Sequence, residues 1–254
     1  MIITDMPIAN AMDMSMGLAA LVGLGAAFVV MYLVLRKYTY PAVEEPFFSD
    51  PRLFMLFTVG LVEGTILFVV YTYLWEYYTV PGAGLIVAIL FGAVMELVKL
   101  VTMNLKRFVG ISDSIFYGFG LGLGMGAAMA FGTIYYWCNG MDGADVASII
   151  IVVLLAMQFL FLNTSTGTTM GEGIARRRPM EFALRNVLIN AVCQVLAVPF
   201  YMGSSEWLMY LSLGISTVVV AYVFYNTIYV KLPRVVDDVL KMNGKTRNDI
   251  PGLR

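Results

Sequence analysis

The sequence predicts an all-α, polytopic membrane protein, a helix bundle of about seven transmembrane spans. Three observations carry that reading. The 254-residue chain is 60% hydrophobic and only 13% charged, with a mean hydropathy of +0.82. A water-soluble domain of this size could not hide so much apolar surface, so lipid must serve as solvent for much of it. The apolar residues fall into runs long enough, at about 1.5 Å per residue, to cross a bilayer core. The connections between the runs alternate between basic and acidic, the signature of a chain threaded back and forth through a membrane.

Residues 1–15 carry Asp5 and Asp13 and lack the basic start of a secretory signal, so no cleaved leader is expected. The first apolar run, 16–35, closes on Arg36 and Lys37. Further runs follow at 53–75, 82–105, 114–137, 146–162, 182–202 and 207–229. The fifth extends through a Thr/Ser/Gly stretch to residue 174, because small polar residues are tolerated in a membrane helix that faces other helices. Every Lys and Arg except Lys99 falls on one side: Arg36, Lys37 and Arg52, then Lys106 and Arg107, then Arg176, Arg177, Arg178 and Arg185, then the rest from Lys231 to Arg254. The other side carries Asp5, Asp13, Glu76, Asp142, Asp145 and Glu206. The positive-inside rule puts the N-terminus outside and the C-terminus in the cytoplasm. Residues 1–230 then form the bundle, and 231–254 form a basic cytoplasmic tail that begins as a short interfacial helix and frays.

Composition also narrows the chemistry. The chain has no histidine, so neither an imidazole base nor a histidine-containing metal site can be assembled from it. Cys138 and Cys193 sit at a helix end and inside a later span, which argues against a disulfide framework. Net charge is −1 and segregated rather than gathered on one basic face, so nucleic acid is not an expected partner. No cofactor or metal is indicated. The expected partners are the bilayer itself and other integral membrane proteins.

Ionisable residues at membrane depth are costly and mark candidate sites. Glu63 lies within the second run, with no local partner in sequence. Glu96 and Lys99 lie in the inner half of the third, three residues apart on one helix face, where they can pair. The fourth run reads Tyr117-Gly-Phe-Gly-Leu-Gly-Leu-Gly-Met-Gly126. Gly118, Gly122, Gly126 and Ala130 form one four-residue row, and Gly120 with Gly124 forms a second. Such rows let helix backbones approach closely, so this helix is expected either deep in the bundle or docked on a partner helix. The hydroxyls at 164–169 either line a polar seam or satisfy backbone carbonyls. Arg176, Arg177 and Arg178 read as a stop-transfer signal and lipid-headgroup anchor.

The order of these features resembles the PrsW-type intramembrane proteases, related to the CAAX-protease-like proteins and to the anterior-pharynx-defective scaffold subunit of γ-secretase. The likeness covers roughly residues 90–200. The family's Glu-Glu-x-x-Lys helix is met by Met95-Glu96-Leu97-Val98-Lys99, which keeps the second Glu and the Lys. Its Asp-Gly-x-x-Tyr-Gly start to a Gly-rich helix is met by Asp113-Ser114-Ile115-Phe116-Tyr117-Gly118. Where the family continues to a Glu-Asn pair, Met129 and Ala130 stand. Where it opens a later helix with histidine, Asn163 stands, with Gly167 at its Thr position; a further histidine falls near 190–192 and is absent. The resemblance implies a prokaryotic cell membrane and a lost catalytic set. The expectation that follows is a non-catalytic scaffold or stabilising subunit of a membrane complex. The alternatives are an intramembrane protease working through Glu96 with Lys99, Glu63 and Asp113, and an ion- or proton-coupled transporter using Glu63 and Glu96.

Overall fold

The computed structural model describes residues 15–80, 82–140, 146–203 and 205–251, and every element in it is helical. The expected acids Asp5, Asp13, Asp142 and Asp145 lie outside the described residues. Seven helices are long and apolar enough to cross a membrane: α1 (Ser15–Leu35), α2 (Asp50–Tyr78), α3 (Ala83–Met103), α4 (Ser114–Gly140), α5 (Val146–Ala175), α6 (Pro179–Tyr201) and α7 (Glu206–Tyr225). A π-helical turn, Asn226–Lys231, runs on without a break into α8 (Leu232–Met242).

Local chemistry sets the helix starts. Ser49 in an extended conformation precedes Asp50 and a proline in the first turn of α2. Pro179 opens α6 and places Glu181 in its first turn. Proline at the first helical position has no amide to leave unpaired, and an early acid complements the helix dipole. The turn between α2 and α3 uses Gly82 at φ 84°, in the left-handed region that glycine enters without strain. The fifth helix carries straight through its Thr/Ser/Gly stretch to Ala175, as the sequence allows.

The Gly-rich helix α4 is the hub, with 94% of its most apolar stretch buried. It packs chiefly on α5 along one side and α2 along the other. A Cβ added at Gly122 would run into Asn163 O and lie 2.9 Å from Gly167 Cα; one at Gly126 would lie 2.8 Å from Leu160 Cα. Gly118 faces Gly167 and Gly171 of α5 in the same way, while Gly120 and Gly124 face Leu53, Phe57 and Leu61 of α2. The rows therefore meet this chain's own helices. Gly60 and Gly64 on α2, and Gly167 and Gly171 on α5, supply matching gaps from the other side.

The outer ring is built by α3 on α6, α6 on α7, and α7 on α5, while α1 leans on α4. After its helix the tail, through residue 251, folds back on the bundle. The face of α8 formed by Val236, Val239 and Leu240 is buried, and Ile250 is only 4% exposed in the same apolar cluster as Val43, Phe47 and Phe48 of the first connection. Arg247 lies 3.8 Å over the Phe47 ring and donates to Glu45 O at 2.7 Å. The amphipathic pattern of the tail buries its apolar stripe against the bundle.

Candidate functional site

The third helix gathers the polar interior. Glu96 and Lys99, one turn apart, have no exposed surface, and Lys99 Nζ donates to Glu96 Oε1 at 2.7 Å. Lys99 also reaches across to α5, donating to Thr166 Oγ1 at 2.6 Å. From α6, Asn190 Nδ2 donates to Glu96 Oε1 at 2.9 Å. One turn along α6, Asn186 Nδ2 donates to Thr166 O at 2.8 Å and its Oδ1 accepts from Thr169 at 2.6 Å. The result is a polar knot of three helices around one ion pair. The pair's charges are neutralised where lipid and protein offer little dielectric support, which such a pair needs in order to be tolerated.

Close approach of α3 and α6 depends on Gly92, one turn before Glu96. A Cβ there would stand 2.9 Å from Asn190 Oδ1. Gly92 and Asn186 are members of the site that the sequence reading did not single out. A legible signal existed for one side of it: Asn186, Asn190 and Gln194 recur every four residues in an otherwise apolar helix and are all buried. Such a stripe cannot face lipid cheaply and must face other helices.

The remaining candidates divide. Glu63 of α2, half-buried, accepts a hydrogen bond from Thr102 of α3 and lies within electrostatic reach of Lys99. The sequence showed no partner for it because Thr102 is on another helix. Asp113 stands apart at the head of α4, accepting from Ser112 at 3.1 Å and from the Tyr117 hydroxyl at 3.4 Å. None of these bonds reaches Glu96 or Glu63. Asn163 and Asn190 are both fully buried, and only Asn190 bonds Glu96. The α5 hydroxyls serve both expected uses at once. Thr164, Ser165, Thr166, Thr168 and Thr169 donate to carbonyls one turn back, while Thr166 and Thr169 also hold Lys99 and Asn186.

Five buried side-chain oxygens have no hydrogen-bond partner among the described residues: Glu63 Oε2, the Tyr78 hydroxyl, Glu96 Oε2, Asn163 Oδ1 and Asn190 Oδ1. A buried orphan acceptor costs roughly 1–3 kcal/mol. Among the described residues no three His, Cys, Asp or Glu side chains stand together in a way that could hold a metal ion.

The arginine triplet is used unevenly. Arg176 turns to Glu172 at 2.8 Å and to Asp238 of α8 at 3.2 Å, so it ties α5 to α8. Arg177 occupies the left-handed position after α5 at φ 58°. Its amide bonds Ile174 O, and that of Arg178 bonds Gly173 O at 2.8 Å, the paired closure by which helices commonly end. Arg177 and Arg178 are exposed and remain available to a lipid surface.

Seven apolar helices around an internal ion pair define a multi-pass membrane protein. No family model, no curated protein and no solved structure matches the chain.

Proposed function

We propose that the chain is a non-catalytic subunit that stabilises a complex of other integral membrane proteins, with its basic end in the cytoplasm of a prokaryotic cell. The observation that carries this reading is the closure of the polar centre. Glu96 and Lys99 have no surface that a water-sized probe can touch, and each is already engaged by side chains of α5 or α6. Hydrolysis needs an attacking water within hydrogen-bond reach of its base, and there is no room for one here. The resemblance to PrsW-type proteins agrees with this use: the stretch 190–192, near which the family has a further histidine, holds an amide, Asn190, that ties α6 to Glu96.

A partner must use a face other than the glycine rows, which are filled internally. Along α2 and its C-cap, Thr58, Thr65, Thr72 and Thr79 recur every seven residues. Thr58, Thr65 and Thr79 are exposed, and all four hydroxyls are satisfied by carbonyls of their own helix. A seven-residue repeat of small polar residues suits left-handed packing against a second membrane helix.

The test is the conservative change Glu96→Gln in purified protein presented with single-span membrane peptides. The expected result is no cleavage by either form. Peptide-bond cleavage by the wild type that the variant loses while it remains folded would establish the protease reading instead. A second reading, a proton or ion path, is favoured by one observation: Glu63 is half-buried with an unpartnered oxygen close to Lys99. Flux across proteoliposomes that Glu63→Gln abolishes would support that path, and flux unaffected by the change would remove it.

A further inference from the structure

At the basic end of the bundle a cleft opens between α5, α6 and the π turn after α7. Thr168, Thr169 and Glu172 line it from α5, Arg185 from α6, and Thr227 and Lys231 from the π turn. Its interior holds ≈ 20 Å³, room for one water, so any larger group would have to sit across its mouth. Arg185 is exposed and Lys231 half-buried there.

The two cations lie within electrostatic reach of each other and of Glu172. Glu172 is already taken by Arg176, whose other partner is Asp238. Among the described residues no carboxylate stands within ion-pair distance of Arg185 or Lys231. Two like charges brought together from separate helices repel; Glu172, already held by Arg176, offsets them only in part, and an anion seated between them would neutralise both. The π turn supplies Lys231 and Thr227 to the same wall, and π-helical insertions recur at functional sites. Basic pockets between membrane helices at the headgroup level are the usual seats of anionic lipid heads.

We infer that this cleft binds a phosphate-bearing anion, the headgroup phosphate of an acidic phospholipid, held between Arg185 and Lys231. The bound phosphate bridges α6 to the π turn and so fastens α7 and α8 to the bundle. This site is separate from the exposed Arg177 and Arg178, which offer charge without a cleft.

The experiment is native mass spectrometry of the full chain, delipidated in a neutral detergent and presented in turn with phosphatidylglycerol, phosphatidylcholine and inorganic phosphate. Phosphatidylglycerol is expected to be retained in preference to phosphatidylcholine. Arg185→Gln with Lys231→Gln should weaken its retention by about thirtyfold, near 1 kcal/mol for each charge removed. The swap Arg185→Lys with Lys231→Arg keeps both charges and should keep the lipid, which separates loss of binding from loss of fold. Arg178→Gln should change nothing. Retention that resists millimolar phosphate identifies a lipid as the occupant; displacement by phosphate alone identifies a free anion at the same two residues. Equal retention of the two lipids, or phosphatidylglycerol retention unchanged in the double Gln variant, overturns the site.

Discussion

Glu96 and Lys99 neutralise each other inside a closed knot, and the consequence for mutation is asymmetric. Removing one partner leaves a buried charge with nothing to balance it, at a cost of about 3–5 kcal/mol. Removing both at once leaves shapes that can pack. Glu96→Gln and Lys99→Met singly are therefore expected to lower stability by about that amount, and the double variant by far less than their sum. Unfolding of purified protein in a graded denaturing detergent checks this, and additive losses would contradict the coupling. The pair itself was legible in the sequence from its three-residue spacing. Its surroundings were not: Thr166 is 67 positions and Asn190 94 positions away, and no local pattern reports which helices become neighbours. Glu63 illustrates the same limit, since its partner Thr102 lies on a different span.

At the scale of the helix, the glycine rows were legible and their destination was not. The spacing of Gly118, Gly122 and Gly126 announced close packing, but equally fitted an internal or an external neighbour. The complementary pairs Gly60 with Gly64 and Gly167 with Gly171, each four residues apart, decide the matter by facing α4 from within the chain. Gly122→Leu therefore cannot report on a partner protein, because it would first part α4 from α5. Even Gly122→Ala is expected to destabilise the bundle by about 1–3 kcal/mol, as overpacking does. Gly214 on α7, with nothing within 4 Å of an added Cβ, is the matched control. Gly214→Ala should leave stability unchanged or raise it by up to about 1 kcal/mol through helix propensity. Detergent unfolding of the two variants side by side measures the difference, and equal effects would contradict the packing described.

For the molecule as a whole, seven spans were foreseen from hydropathy and charge alternation, because lipid leaves a chain almost no other way to satisfy its backbone. The docking of the tail escaped that reading, since it rests on contacts between the two ends of the described chain. Arg247 holds the Asp249 carboxyl below its ordinary value of 3.8 by donating hydrogen bonds to it. A lowered folded pKa means that this contact steadies the tail above the ordinary value, and that the support is lost as pH falls through the folded one. A spin label at exposed Thr246 should be immobilised at neutral pH and loosen only in that acidic window. Arg247→Ala should loosen it at neutral pH; mobility unchanged in the variant would rule out this clasp.

The central claim is that a sealed, self-packed bundle offers an outer face of α2 to other membrane proteins. It is tested most directly by mass spectrometry of what co-purifies with the chain from native membranes in mild detergent, compared with Thr58→Leu/Thr65→Leu. The predicted result is a stoichiometric set of membrane proteins with the wild type, sharply reduced in the variant while the chain itself stays folded. A chain that purifies alone, or partners retained equally by both forms, would contradict the claim.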